Sequence, residues 1–246
     1  MRVRKIIIPF ALVSVFFFVG CGGAQSRQAT MLNGSQLPQD KGWLVMSNAV
    51  SPVDIVTDGQ TLTLNTIGVL SNDDQRPGKA VVWFYKDVPF DFDGGFSIEF
   101  TLKVHKVERS HNLYDAGIMF YGSTKDPSDN FTGSPRSQIL FFDENAIGWG
   151  DETEMFTMDT TDTFHTYTLR VNDSRVAKVY VDETLALTRE EWEGIPRIGF
   201  GDMTNELGVN GRFSIGDIIV TAQPRIGSSR PAPRRLIPPS RRSSGG

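Results

Sequence analysis

Paired acids, isolated histidines and scattered large aromatics are the side chains of this chain whose type and spacing could do chemistry. Asp151-Glu152-Thr153-Glu154 sets Glu152 and Glu154 two positions apart. On a strand, where side chains alternate between faces, that spacing puts both on one face. Two carboxyls about 5 Å apart are what retaining glycoside hydrolysis requires. Asp143 and Glu144 are adjacent, which sends them to opposite faces. The alternative for all of these is solvated loop acids on an acidic protein. The histidines are His105, His111 and His165, and none has a second histidine within three to five residues. His165 shares a face with Tyr167, Leu169 and Val171, which favours a partly buried structural histidine over a general base. No nucleophile elbow, phosphate loop, dinucleotide fingerprint or zinc-ligand spacing is present.

The aromatics carry the stronger signal. In Val81–Tyr85, Trp83 and Tyr85 share a face and Phe84 takes the other. In Gly117–Tyr121, Ile118 and Phe120 read as core, which leaves Met119 and Tyr121 opposite. Gln138 aligns with Leu140 and Phe142, and Trp149 follows. If these faces coincide on one sheet, Trp83, Tyr85, Tyr121, Gln138 and Trp149 offer flat apolar surface with polar edges, which suits a sugar ring. The alternative is that they pack the core or the sheet edge.

The elements that must position these residues are strands. Gly95–Val104 alternates cleanly, with Phe96, Ile98, Phe100, Leu102 and Val104 on one face and Ser97, Glu99, Thr101 and Lys103 on the other. Further strands are expected at 53–57, 61–67, 80–86, 116–121, 137–142, 164–172, 175–181, 197–201 and 212–221. Turn signals separate them, among them Asp58-Gly59, Asn172-Asp173-Ser174 and Asp182-Glu183. Thr188–Glu193 reads as at most one helical turn. This many short strands predicts an all-β chain, a two-sheet antiparallel sandwich spanning residues 41–223. Residues 21–40 are small and polar and read as a flexible tether. Residues 224–246 hold five prolines, six arginines, five serines and no acid, and read as a disordered tail.

Of the 246 residues, 25 are Lys or Arg and 29 are Asp or Glu, a net charge of −4. Without Arg2, Arg4 and Lys5 there are 22 basic residues; the tail holds six of these, so residues 22–223 carry 16 against 29, a net of −13. That acidic body lacks the basic excess of a nucleic-acid binder. The +6 tail is expected to touch anionic envelope polymers or lipid headgroups.

Arg2, Arg4 and Lys5 precede Ile6–Val19, 14 residues without a charge. That run is short for a membrane span, which needs about 20 apolar residues, and suits a signal peptide over residues 1–20. It ends Phe18-Val19-Gly20-Cys21, which resembles the bacterial lipoprotein lipobox, with Phe18 where leucine is usual. The resemblance implies lipid on Cys21, the single cysteine of the chain. It places the protein at the bacterial cell envelope, with Gly22 favouring the outer membrane. A lone cysteine also excludes an intramolecular disulfide.

Phe164-His165-Thr166-Tyr167-Thr168-Leu169-Arg170-Val171, followed by Val176-Ala177-Lys178-Val179-Tyr180-Val181-Asp182, resembles the concanavalin A-like lectin/glucanase superfamily, which includes laminin-G-like domains. Phe96-Ser97-Ile98-Glu99-Phe100 resembles an early strand of that fold. Ile198–Asp202 and Gly216-Asp217-Ile218 resemble its closing strands. The resemblance implies a jelly roll. It does not specify a function, because the fold hosts lectins, hydrolases, lyases and adhesion modules. Glucanases of the superfamily set acids at i, i+2 and i+4 of one strand. Here Gly150 and Phe156 flank Glu152 and Glu154, so the third acid is missing and no catalytic residue is assigned. Relatives often carry a structural calcium; Asp202 and Asp217 are the candidate ligands, with turn formation as their alternative. The expectation is a non-catalytic carbohydrate- or surface-binding lipoprotein. A glycoside hydrolase or lyase of the same fold, or a scaffold with a protein partner, are the alternatives.

Overall fold

The computed structural model describes residues 25–72, 80–92, 94–108, 117–121, 138–193, 197–203 and 210–223. Its strands run β1 Arg27–Leu32, β2 Leu44–Ser47, β3 Asp54–Thr57, β4 Leu62–Asn65, β5 Val82–Asp87, β6 Phe96–Val107, β7 Ile118–Tyr121 and β8 Ile139–Phe142. They continue with β9 Ala146–Trp149, β10 Met155–Thr157, β11 His165–Val171, β12 Ala177–Val181, β13 Thr184–Arg189, β14 Arg197–Asp202 and β15 Gly211–Ala222. An eight-stranded sheet has the order β13-β12-β11-β6-β15-β4-β3, with β1 also paired to β15; a seven-stranded sheet has the order β10-β9-β8-β7-β14-β5-β2. All the pairings are antiparallel, and the two sheets form a jelly-roll sandwich. Among the described residues no helix is long and apolar enough to cross a membrane.

β6 and β15 form the spine of the larger sheet. β6 has the period-2 pattern that a half-buried strand requires: Phe96, Ile98, Phe100, Leu102 and Val104 are buried, while Glu99 and His105 are exposed. The Phe100 ring crosses to the other sheet, stacking on Phe120 at 4.0 Å, with Tyr167 at 5.4 Å beside it. Directly paired residues share a face. The row Phe84–Phe200–Phe120–Leu140–Trp149 of the smaller sheet therefore points into the sandwich. The alternate row, Trp83–Gly201–Met119–Phe141–Gly148, points away from it.

The hairpins follow their turn residues. Between β12 and β13, Asp182 (φ 45°) and Glu183 (φ 70°) both take positive φ, as a two-residue type I′ turn demands. Asn172 closes the β11–β12 turn, its side chain accepting from the Val176 N–H at 2.8 Å.

Five strands, β1, β2, β9, β10 and β13, were not expected from the sequence, and two of them overturn a specific reading. The stretch read as a tether contains β1, which pairs with the end of β15, and a 3-10 turn at Pro38–Lys41. The sandwich therefore begins near Arg27. Thr188 and Arg189, read as part of a helical turn, belong to β13, because Leu187 pairs with Val179 and fills the core. The segment expected to be a signal peptide (residues 1–20), Cys21 and the stretch 224–246 lie outside the described residues.

Candidate functional site

The outward face of the smaller sheet gathers Trp83, Tyr85 and Tyr121, as the alternation required. It does not leave them open. Trp83 is 1% exposed and Tyr121 is 3% exposed, and their rings meet edge-on at 4.3 Å. The Trp83 ring packs against Gly199, where a Cβ would stand 2.4 Å from Trp83 Cζ2. The half-buried Tyr85 is the most accessible of the three, and the Arg197 guanidinium covers it at 5.6 Å. Gln138 and Trp149 are not on this surface. Trp149 is fully buried on the inward row, 6.0 Å from Trp192, and Gln138 is buried, its side-chain oxygen without a partner among the described residues. The five aromatic-platform candidates therefore do not form one stacking surface.

The acids separate too. Glu152 sits at a positive φ of 66° in a turn. Glu154 accepts from the Thr188 N–H at 2.7 Å and the Trp149 indole N–H at 3.3 Å. Neither position belongs to a strand, so no same-face pair arises. Beside them Asp151 takes a bidentate pair from Arg189 at 2.6 and 2.7 Å, and the same guanidinium lies 5.2 Å over the Trp149 ring. This clasp joins β13 of one sheet to the β9–β10 hairpin of the other. Partial burial works against charge on Asp151, but the hydrogen bonds from Arg189 and Thr153 outweigh it and hold its carboxyl below the ordinary pKa.

The calcium candidates do not converge. Asp202 is buried at the end of β14, where Thr66 Oγ1 donates to it at 2.5 Å. Asp217 is exposed on β15 and accepts from the Gly34 N–H at 3.2 Å. Among the described residues no group of three or more His, Cys, Asp and Glu side chains could hold a metal ion. The residues present do not fit a shared calcium.

Two histidines have defined partners; His111 lies outside the described residues. His105 Nε2 stands 2.8 Å from Ser214 Oγ, which is itself 2.6 Å from Thr63 Oγ1. Partial burial, with Arg212 and Lys103 nearby, lowers the His105 pKa. No carboxylate orients its other nitrogen among the described residues, so the pair is not a triad. His165 Nδ1 bonds Asp182 Oδ2 at 2.6 Å and its Nε2 bonds Asp162 Oδ1 at 2.9 Å. Burial opposes its charge, but the two carboxylates outweigh that and raise its pKa.

The site that sequence reasoning missed lies on the outward face of the larger sheet. β15 bulges between Ile215 and Ile218 against β6. An extra residue there locally disrupts the ladder and bends the strand. Gly216 lies so close to Thr101 that a Cβ would meet its Oγ1 at 2.3 Å. Beside the bulge, the loop at Asn33-Gly34 runs against the Asp58–Thr61 turn; a Cβ on Gly34 would stand 2.3 Å from the Gln60 carbonyl oxygen. Thr57 Oγ1 donates to the Gly34 carbonyl at 2.6 Å. Asp58 accepts from the N–H groups of Thr61 at 2.7 Å and Gln60 at 2.9 Å, and these bonds lower its pKa.

Between these segments opens a cleft of about 470 Å³. Its lining includes the acids Glu99 and Asp217, the amide residues Asn33 and Gln60, and Thr61 and Thr101. Phe164, 41% exposed, completes the lining. Planar amides and carboxylates beside an accessible aromatic ring are the groups that recognise a polyol: they exchange hydrogen bonds with its hydroxyls while the ring covers its apolar face. The signal available in the sequence was Gly216-Asp217 inside an otherwise regular strand, a bulge signature.

No family model matches the chain, and no curated protein matches it in sequence. Solved structures share its fold. A sialidase is similar over 80% of this chain at TM-score 0.52 and 14% identity, and the match spans 18% of the sialidase chain. A carbohydrate esterase from the Shiga toxin-encoding bacteriophage phi24B is similar over 80% of this chain and 100% of its own, at TM-score 0.51 and 14% identity. The metal-free carbohydrate recognition domain of Emp46p covers 78% of this chain and 94% of its own, at TM-score 0.49 and 12% identity. At such identities the likeness is one of fold.

Proposed function

We propose that this protein is a non-catalytic saccharide-binding jelly roll, held at the bacterial cell envelope by lipid on Cys21. The observation that carries the binding reading is the cleft beside the β15 bulge, lined by Glu99, Asp217, Asn33, Gln60, Thr61 and Thr101 with the exposed Phe164. The fold shared with a sialidase and a carbohydrate esterase supports it. The anchor rests on the charged N-terminus, the apolar run and the Phe18–Cys21 motif.

Screening the full chain against an array of neutral and acidic oligosaccharides tests the binding. Asp217→Ala removes a charged hydrogen-bond partner worth about 1.5–3 kcal/mol, so affinity falls roughly ten- to a hundredfold. Phe164→Ala weakens binding roughly tenfold through lost ring contact. No binding to any saccharide refutes the reading, as does binding indifferent to both substitutions. For the anchor, globomycin accumulates a precursor and Cys21→Ala releases the protein from the membrane fraction; unchanged processing removes it.

A further inference from the structure

A second groove lies on the same outward face, away from the bulge. Strand pairing sets Thr221, Ser97, Arg170, Lys178 and Thr188 side by side across β15, β6, β11, β12 and β13. Around Arg170 and Lys178 the groove measures about 640 Å³, and Ser97, Asn172 and Gln223 contribute to its walls.

The two cations stand directly opposite each other in an antiparallel pair, an arrangement that is destabilising for like charges. The acidic body could supply counter-ions, yet neither side chain forms an ion pair among the described residues. Arg170 instead lies 4.7 Å over the Tyr180 ring, which holds its guanidinium along the sheet. Asp173 also lines the groove, but it belongs to the β11–β12 turn, where it accepts from Ser174 Oγ at 3.5 Å. The lining keeps a net positive charge. Two adjacent cations without an ion-pair partner among the described residues, beside Ser97 and the amide residues Asn172 and Gln223, lack only an anion from outside.

We infer that this groove binds an acidic polysaccharide, with carboxylate or phosphate oxygens on Arg170 and Lys178 and sugar hydroxyls on Ser97 and Asn172. A guanidinium presents a planar fork of donors to such an oxyanion, and an ammonium adds a point charge. An anionic bilayer is the poorer ligand, because it would meet the whole body with its net charge of −13. A single polymer chain meets only the groove. The inference takes the saccharide class from the proposed function, while the anion site stands on its own residues.

The test is calorimetric titration of the full chain with oligogalacturonate, with a neutral oligosaccharide of equal length, and with vesicles of phosphatidylglycerol or phosphatidylcholine. The expected result is saturable oligogalacturonate binding that inorganic phosphate displaces and added salt weakens. Arg170→Gln and Lys178→Gln each reduce it about tenfold or more. Arg197→Gln, on the opposite sheet, leaves it unchanged. Absence of oligogalacturonate binding overturns the inference, as does equal affinity in the Arg170 and Lys178 variants. Phosphatidylglycerol vesicles held through these two residues, without oligogalacturonate binding, overturn it in favour of a membrane surface. If no saccharide of the array binds in a way that Asp217→Ala or Phe164→Ala weakens, the cleft reading fails and the anion-site result stands.

Discussion

Gly199→Ala probes how the tryptophan and tyrosine face is built. Gly199 pairs with Tyr85 on one side and Tyr121 on the other. A Cβ there would stand 2.4 Å from Trp83 Cζ2, 2.5 Å from its Cη2 and 2.7 Å from the Phe84 carbonyl oxygen. Contacts so short require movement. The backbone oxygen belongs to the neighbouring strand, and the indole is confined by Tyr121 at 4.3 Å. Overpacking of this kind costs about 1–3 kcal/mol. For a domain of this size 1 kcal/mol corresponds to a Tm change of roughly 2–4 °C, so Gly199→Ala is expected to lower Tm by about 2–12 °C. Thermal unfolding followed by circular dichroism measures it. Trp83→Leu removes the clash, so in Gly199→Ala/Trp83→Leu the two effects combine to less than their sum. A Tm within 1 °C of the parent for Gly199→Ala would show that the indole swings clear into solvent. That would restore the aromatic face as an open stacking surface, contrary to the burial described above.

Other perturbations separate the remaining elements. Arg189→Met leaves Asp151 partly buried without its bidentate partner and lowers stability by about 1–3 kcal/mol in denaturant titration. Because the folded-state pKa of Asp151 is depressed, the clasp's contribution is present above the unfolded pKa and is lost as pH falls through the folded value. The stability gap between parent and Arg189→Met therefore narrows in acid. His165 behaves oppositely: its folded pKa is raised, so its contribution is complete below about pH 6.5 and is lost as pH rises through the folded value. Between about pH 6 and pH 9 the parent is expected to lose more Tm than His165→Gln; parallel profiles would show that Asp162 and Asp182 do not stabilise the imidazolium.

Much of the fold was legible wherever alternation was strong. Phe96–Val104 revealed its buried and exposed faces directly, and Asp182-Glu183 marked a hairpin turn. β1 was not legible, because Arg27–Leu32 has no alternation of its own and is a strand by virtue of β15. β13 was missed, and its last residues read as a helical turn, because Leu185-Ala186-Leu187 is too short for its period to decide, and pairing with β12 does so instead. The site was harder. Alternation correctly put Trp83, Tyr85 and Tyr121 on one face, but whether a face is open depends on packing that no local pattern encodes. Asp217 read as a turn or metal ligand because its role comes from the bulge, which exists only in the register of β15 against β6. Arg170 and Lys178 lie eight residues apart and meet only through the β11–β12 pairing.

The central claim is that a saccharide enters the cleft beside the β15 bulge. Backbone amide chemical shifts of the full chain, recorded while the tightest-binding neutral saccharide of the array is added, test it most directly. The account predicts saturable shifts at Gly34, Gln60, Thr61, Gly216 and Asp217, with the Trp83 indole signal unmoved. Shifts concentrated on Trp83, Tyr85 and Tyr121, with the bulge silent, would contradict it.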